Sequence, residues 1–141
     1  MEISETGLNL IKKSEGLRLT AYQDQGGVWT IGYGHTGHDV HEGATITEAQ
    51  AEDLLHRDVQ SAQLWVNHLV KVPLTQVQFD ALVDFAFNLG LEALKHSTLL
   101  RVLNKGNYQA AKAEFLKWDH IAGAVSEGLL KRREAEAQLW G

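Results

Sequence analysis

Apolar side chains recur every three to four residues over most of the chain, which predicts several helices around a buried core. Residues that favour helix N-caps mark where these helices begin: Ser4, Thr47, Thr75, Ser97 and Asn107. The first predicted helix ends at Glu15, and a short one runs from Ser97 to Asn104. The others span residues 48–69, 76–89, 108–119 and 127–140, with a loop over 121–126 before the last.

One stretch near the start alternates apolar and polar residues and predicts a β-hairpin. The strands are Leu17–Asp24 and Val28–Gly34, and Gln25-Gly26-Gly27 suits a three-residue turn. In that register Tyr22 faces Thr30 and Asp24 faces Val28. Asp24 and Thr30 are then diagonal neighbours on one face, roughly 7–8 Å apart between backbones, and could hold one water between them. We expect Thr30 to face a cleft rather than the core.

Two of the predicted helices have distinctive patterns. Segment 76–89 is apolar nearly all round, which is typical of a central buried helix. In the last helix we expect packing through Leu129, Leu130, Ala137 and Trp140. The predicted fold class is therefore α+β, mainly α, with 141 residues forming one domain.

The first candidate chemistry is a pair of carboxylates. Glu15 shares the apolar face of the first helix, and Gly16 is suited to the position that ends it. We expect burial and the negative end of the helix dipole to favour the protonated acid at Glu15. Asp24 lies at a polar turn. The alternative is that its side chain has only a structural role in that turn. Two carboxyl groups in such contrasting surroundings are typical of glycosidases.

The stretch Glu15–His35 resembles the phage-type lysozymes (endolysins) of glycoside hydrolase family 24. Their frame, E-G-L-R-L-x-x-Y-x-D-x-x-G-x-x-T-I-G-x-G-H, is matched here throughout, with Glu15, Asp24 and Thr30 at its Glu, Asp and Thr positions. Weaker similarities run to residue 134, so the resemblance covers essentially the whole chain. The sequence departs mildly from the family pattern at Ser14, Leu94 and Ser126, where an aromatic residue, Phe and Pro, respectively, are common.

The resemblance implies a lysozyme-like fold and a muramidase that needs no cofactor. A small hairpin lobe, about residues 15–50, would be joined by the long helix to a helical lobe, about 70–141 plus the N-terminal helix. Glu15 would be the general acid, while Asp24 and Thr30 would position water for an inverting hydrolysis of peptidoglycan glycan strands.

Some residues have open roles. His35, His38 and His41 could suggest a metal site, but a glycine-rich loop gives no fixed ligand geometry, so we expect no metal. The family implies that His35 is structural, bonded to a carboxylate that the sequence does not identify. One of Arg132 and Arg133 would line the cleft; the alternative is a solvent-facing basic patch.

Composition limits the partners. The net charge of −5 argues against general nucleic-acid binding, although residues 101–141 carry seven basic and five acidic side chains. The chain contains no cysteine, and we expect a monomer that makes no stable membrane insertion. We recognise no signal peptide, so a phage enzyme of this kind would be made in the host cytoplasm and reach the wall through a separate membrane pore.

Three rival functions remain at this point. A lytic transglycosylase cleaves the same bond without water, but such enzymes generally lack the second carboxylate. A catalytically dead wall-binding module would keep the fold alone. The third rival is membrane disruption by the last helix. It is less favoured because Glu134 and Glu136 leave that helix only slightly basic.

Overall fold

A computed structural model of the protein describes residues 1–121 and 123–141. Within these residues the helices are α1 (Glu5–Glu15), α2 (Glu48–Leu69), α3 (Gln76–Leu89), α4 (Leu91–Lys95), α5 (Thr98–Asn104), α6 (Tyr108–Phe115) and α7 (Glu127–Trp140). The strands are β1 (Arg18–Gln23), β2 (Trp29–Gly32), β3 (His35–Thr36), β4 (His120–Ile121) and β5 (Ala124–Val125). The predicted class, α+β and mainly α, is confirmed.

The chain divides into two compact units, residues 9–61 and residues 1–8 with 62–141. The first unit holds an antiparallel sheet in the order β1-β2-β3. The predicted hairpin register is confirmed: Tyr22 pairs with Thr30, and the Asp24 amide donates to the Val28 carbonyl at 2.9 Å. Residues 44–46 cover part of the free edge of β1 through the Thr20–Thr45 bridge.

The helical unit, residues 1–8 and 62–141, is built around α3. Its predicted capping box is present, because Thr75 and Gln78 exchange side-chain-to-backbone hydrogen bonds. Every residue from 79 to 86 is buried. Edge-on aromatic contacts continue this core, with ring centroids 5.7 Å apart for Phe85–Phe115 and 5.3 Å apart for Phe115–Trp140.

The predicted ends of most helices agree with the structure, but α6 stops at Phe115 instead of residue 119. The chain leaves the helix because it enters the β4–β5 pair, which is closed by a 2.7 Å hydrogen bond from the Ser126 amide to the Asp119 carbonyl. These strands also correct the loop predicted over 121–126, of which Ala122 lies outside the described residues. The short helix α4 was not predicted.

The largest departure from the apolar pattern is in α7, where charged side chains are buried. Arg132, Arg133 and Glu136 are at most 7% exposed, as is Asp84 on α3. Arg132 donates two parallel hydrogen bonds to Asp84, at 2.8 and 3.0 Å. Burial and the neighbouring Asp84 carboxylate raise the pKa of Glu136 well above its usual value. The Arg132–Asp84 pair has the geometry that a buried ion pair needs to offset desolvation, whereas Nε and Nη1 of Arg133 and Oε1 of Glu136 make no hydrogen bond within the described residues.

A second charged contact joins β3 to α2 within the unit that holds the sheet, residues 9–61. His35 on β3 places Nδ1 2.8 Å from Asp58 on α2 and Nε2 3.1 Å from Asp39. Burial opposes protonation of the ring, but the hydrogen bonds and charges of Asp58 and Asp39 outweigh it and raise the pKa of His35. Slight burial acts to raise the pKa of Asp39, but the hydrogen bond and charge of His35 outweigh it. The pKa of Asp39 is therefore lowered.

We expect Asp58→Asn to destabilise the protein in a pH-dependent way. A raised histidine pKa stabilises the fold fully below the unfolded value of about 6.5, and that contribution is lost as pH rises through the folded value. The melting-temperature deficit of the variant should therefore be largest near pH 6 and shrink by pH 9. Asp53→Asn, an exposed change on the same helix, serves as the control. A deficit that is constant across this range would mean that His35 is bonded in its neutral form.

Candidate active site

Glu15 is the last residue of α1, as predicted. The helix ends there because Gly16 adopts a positive φ of 71°, and the Gly16 amide still donates to the Lys12 carbonyl at 2.9 Å. The Glu15 side chain is half-buried. Its carboxylate packs directly on the backbone of Gly34, where an added Cβ would lie 2.7 Å from Glu15 Cδ. Gly34 also has a φ of 73°, so glycine is required twice over.

The last turn of α1 is held by Lys12, one turn before Glu15. Its Nζ lies 2.5 Å from Glu52 on α2 and 5.6 Å from the centroid of the Tyr33 ring. This contact joins α1, α2 and the segment that precedes Gly34. The position of the Glu15 carboxylate therefore depends on its own helix end and on the turn between β2 and β3.

Asp24 organises the hairpin turn. Its Oδ1 accepts hydrogen bonds from the amides of Gly26 and Val28, at 2.8 and 2.9 Å. Its carbonyl accepts from the Gly27 amide, and Gly27 takes a positive φ of 78°. The side chain is exposed. Asp24 thus has the turn role that its sequence context indicates, while Oδ2 remains available to bind a water or a sugar hydroxyl.

Thr30 requires a correction. We expected its side chain to face the cleft rather than the core, but it is only 4% exposed. Its hydroxyl donates to the Val28 carbonyl at 2.9 Å. Both Thr30 and Ile31 are buried, so the two faces of β2 are covered, which apolar alternation alone does not reveal. Because the hydroxyl proton is engaged by Val28, Oγ1 can act towards a water only as an acceptor.

The carboxylate partners expected for His35 are Asp58 and Asp39. Both ring nitrogens are engaged by them, while His38 and His41 are exposed. Within residues 1–121 and 123–141, no three His, Asp or Glu side chains are grouped so that they could hold a metal ion. His35 follows Gly34 directly, so its anchoring also fixes the backbone against which Glu15 packs.

Neither arginine of α7 forms part of a solvent-facing basic patch. Arg132 is paired with Asp84, while Arg133 donates to Asn88 at 2.8 Å and to Glu136 at 3.0 Å. A role for either arginine towards substrate stays a prediction. None of the described helices has the length and apolar character needed to cross a membrane.

Two features of the site were not interpreted from the sequence. The motif contains Gly34, but only the structure shows that its missing side chain makes room for Glu15. The motif also contains Tyr22, and nothing in the spacing reveals that burial and the charges of Glu15 and Asp24 raise its pKa, against the opposing charge of Arg18.

The chain is similar to known proteins over almost its whole length. The family model described as phage lysozyme matches residues 12–136. An endolysin of Bacillus phage B103 is 55% identical over 99% of this chain, which spans 54% of that protein. An endolysin of Acyrthosiphon pisum secondary endosymbiont phage 1 is 49% identical, with 99% and 98% of the two chains covered.

A solved structure gives the same result at the level of the fold. The muramidase domain of SpmX from Asticaccaulis excentricus superimposes with a TM-score of 0.90 at 43% identity, covering 99% of this chain and 97% of that one. The family match includes the helix end at Glu15, the hairpin with Asp24 and Thr30, and most of the helical unit. The chain therefore belongs to the phage lysozyme family.

Proposed function

We propose that this member of the phage lysozyme family is an N-acetylmuramidase. Membership in the family supports a lysozyme-type enzyme that hydrolyses the bacterial cell wall. The proposed bond is the β-1,4 linkage between N-acetylmuramic acid and N-acetylglucosamine in peptidoglycan glycan strands. Release through a separate membrane pore after synthesis in the host cytoplasm, and action as a monomer, belong to the same proposal.

One observation carries the catalytic assignment. A half-buried carboxyl group, Glu15, and an exposed carboxylate, Asp24, lie in the same compact unit and are each positioned by backbone. Glu15 is fixed by the end of α1 and by Gly34, and Asp24 is fixed by two turn amides. Preorganised groups of this kind contribute to catalysis because they need not reorient during the reaction.

In the proposed mechanism, Glu15 donates its proton to the glycosidic oxygen as the bond to the anomeric carbon breaks. A water on the opposite face of the sugar attacks that carbon and gives up a proton to Oδ2 of Asp24. Oγ1 of Thr30 accepts the water's second hydrogen bond, since its own proton is donated to Val28. Attack by water on the face opposite the leaving group inverts the anomeric configuration.

The proposal as a whole is tested by the products from purified peptidoglycan. We expect new reducing ends at N-acetylmuramic acid, and proton NMR taken during the first turnovers should show the α anomer first. Anhydromuramic ends would identify a lytic transglycosylase instead. An initial β anomer would refute inversion while leaving muramidase activity in place. A dead wall-binding module would release no reducing ends.

Asp24→Asn tests the general base. The amide oxygen of asparagine can still accept from Gly26 and Val28, so the turn should persist while the proton acceptor is lost. We expect activity per folded molecule to fall at least about a hundredfold, the lower end of general acid–base contributions. The melting temperature should change little. Asp53→Asn, an exposed change in the same unit, should retain activity. Near-normal lysis by Asp24→Asn would refute the role.

Gly34→Ala tests the placement of Glu15. The new methyl group must displace the Glu15 carboxylate, and we expect a loss of activity comparable to that of Asp24→Asn. Gly43→Ala is the matched control, because Gly43 has a similar φ of 84° and an added Cβ there meets nothing within 4 Å. Both variants should lose stability by roughly 1–2 kcal/mol from backbone strain. If both keep activity, the contact with Gly34 does not position the acid.

A further inference from the structure

Tyr22 occupies a central position on the face of the hairpin that carries Asp24 and Thr30. Alternate residues of a strand point to the same face, so Tyr22 and Asp24 project together. The Asp24 amide bonds to the Val28 carbonyl, which extends this alternation just past the end of β1. Thr30 lies directly across the strand pair from Tyr22. Tyr22 is therefore the nearest cross-strand neighbour of Thr30 and the next same-face neighbour of Asp24.

The Tyr22 ring is held by a cation. The guanidinium carbon of Arg18 lies 4.9 Å from the ring centroid, within the range of a cation–π contact. The hairpin register is irregular between Arg18 and Tyr22. Arg18 is exposed and Tyr22 is half-buried, so the guanidinium covers one side of the ring towards solvent.

The polar ends of both side chains are available for a ligand. Neither the Tyr22 hydroxyl nor the Arg18 guanidinium has a hydrogen-bonding or ion-pair partner within the part of the chain that the structure describes. Burial raises the pKa of Tyr22, and the charges of Glu15 and Asp24 add to this while Arg18 opposes it. The phenol therefore remains a neutral donor throughout the range in which a glycosidase works.

We propose that Tyr22 is a further substrate-binding residue, whose hydroxyl donates a hydrogen bond to the glycan beside the bond that is cleaved. A donor that stays neutral can bind a hydroxyl or acetamido oxygen of a sugar, whereas the two carboxylates offer acceptors or a transferable proton. Arg18 is a positioning residue that acts through the ring. The assignment rests on the proposed muramidase function, and it adds a contact that acts on binding rather than on bond breaking.

The test compares Tyr22→Phe with the parent on soluble, uncross-linked peptidoglycan strands. The change removes only the hydroxyl and keeps the ring under Arg18. A hydrogen bond to a neutral group corresponds to about a 3- to 10-fold change. We expect KM to rise by this factor while kcat stays within about twofold of the parent value. A contact made equally in the ground and transition states affects KM alone.

Tyr108→Phe provides the control. Tyr108 is a half-buried tyrosine of the helical unit, and its hydroxyl donates to the Pro73 carbonyl at 2.7 Å, so the same change there removes a hydroxyl that has no part in the site. Its kinetic constants should match those of the parent. Equal KM values for Tyr22→Phe and the parent would overturn the proposal, and so would a fall in kcat with KM unchanged. Melting curves normalise each activity to folded protein.

A double-mutant cycle tests the positioning role of Arg18. Arg18→Met keeps a long unbranched side chain and removes the charge, so we expect a smaller rise in KM. In the Tyr22→Phe background the same change should add little, because the hydroxyl that Arg18 positions is already absent. If the effects of the two changes on KM multiply in the double variant, Arg18 does not act through Tyr22. That outcome would overturn the positioning role of Arg18.

The proposed function and this inference fail separately. If the parent releases no reducing ends from the strands, the muramidase assignment fails. If the parent is active and Glu15→Gln is inactive while Tyr22→Phe equals the parent, only the substrate-binding role is lost.

Discussion

The packing of a carboxylate against a glycine backbone is the constraint on which the site depends. Glu15 can occupy its place only because α1 ends there and because Gly34 has no side chain. Gly34 is in turn held by its neighbour, since His35 is fastened to Asp58 on α2. One helix end, one strand turn and one ion pair therefore fix a single carboxyl group. The arrangement places most of the cost of positioning in the fold, so the acid does not lose conformational freedom when substrate binds.

The second carboxylate is positioned by a different device that serves the same purpose. Asp24 uses one oxygen to close its own turn and leaves the other for chemistry. A turn role and a catalytic role are often treated as alternatives, but at this residue the first makes the second possible. A carboxylate that accepts hydrogen bonds from two amides through one oxygen is held in one orientation. Its second oxygen therefore keeps a constant position. Thr30 is held similarly, with its proton committed to Val28.

The helical unit shows how buried charge can replace apolar packing. Arg132 and Asp84 form a bidentate pair, and Arg133 meets Glu136 and Asn88 inside the same core. Such groups favour a specific arrangement of α3 and α7, because any shift would leave an uncompensated charge in a dry environment. They also remove these arginines from the exposed surface of α7, which weighs against membrane disruption by a free cationic helix.

The local pattern of the sequence was sufficient for the class of fold, the hairpin register and the start of every described helix except α4, because capping, periodicity and turn chemistry act over a few residues. The resemblance of the stretch Glu15–His35 to a known motif supplied the family. It also identified Glu15, Asp24 and Thr30 as the candidate site. Only the tertiary structure decided which polar residues are buried and what they meet. The interior positions of Thr30, Arg133 and Glu136, the partner of His35, the early end of α6 and the fit of Glu15 to Gly34 all depend on segments distant in the chain. The burial of polar groups and their pairing are properties of such long-range contacts, so no local pattern contains them.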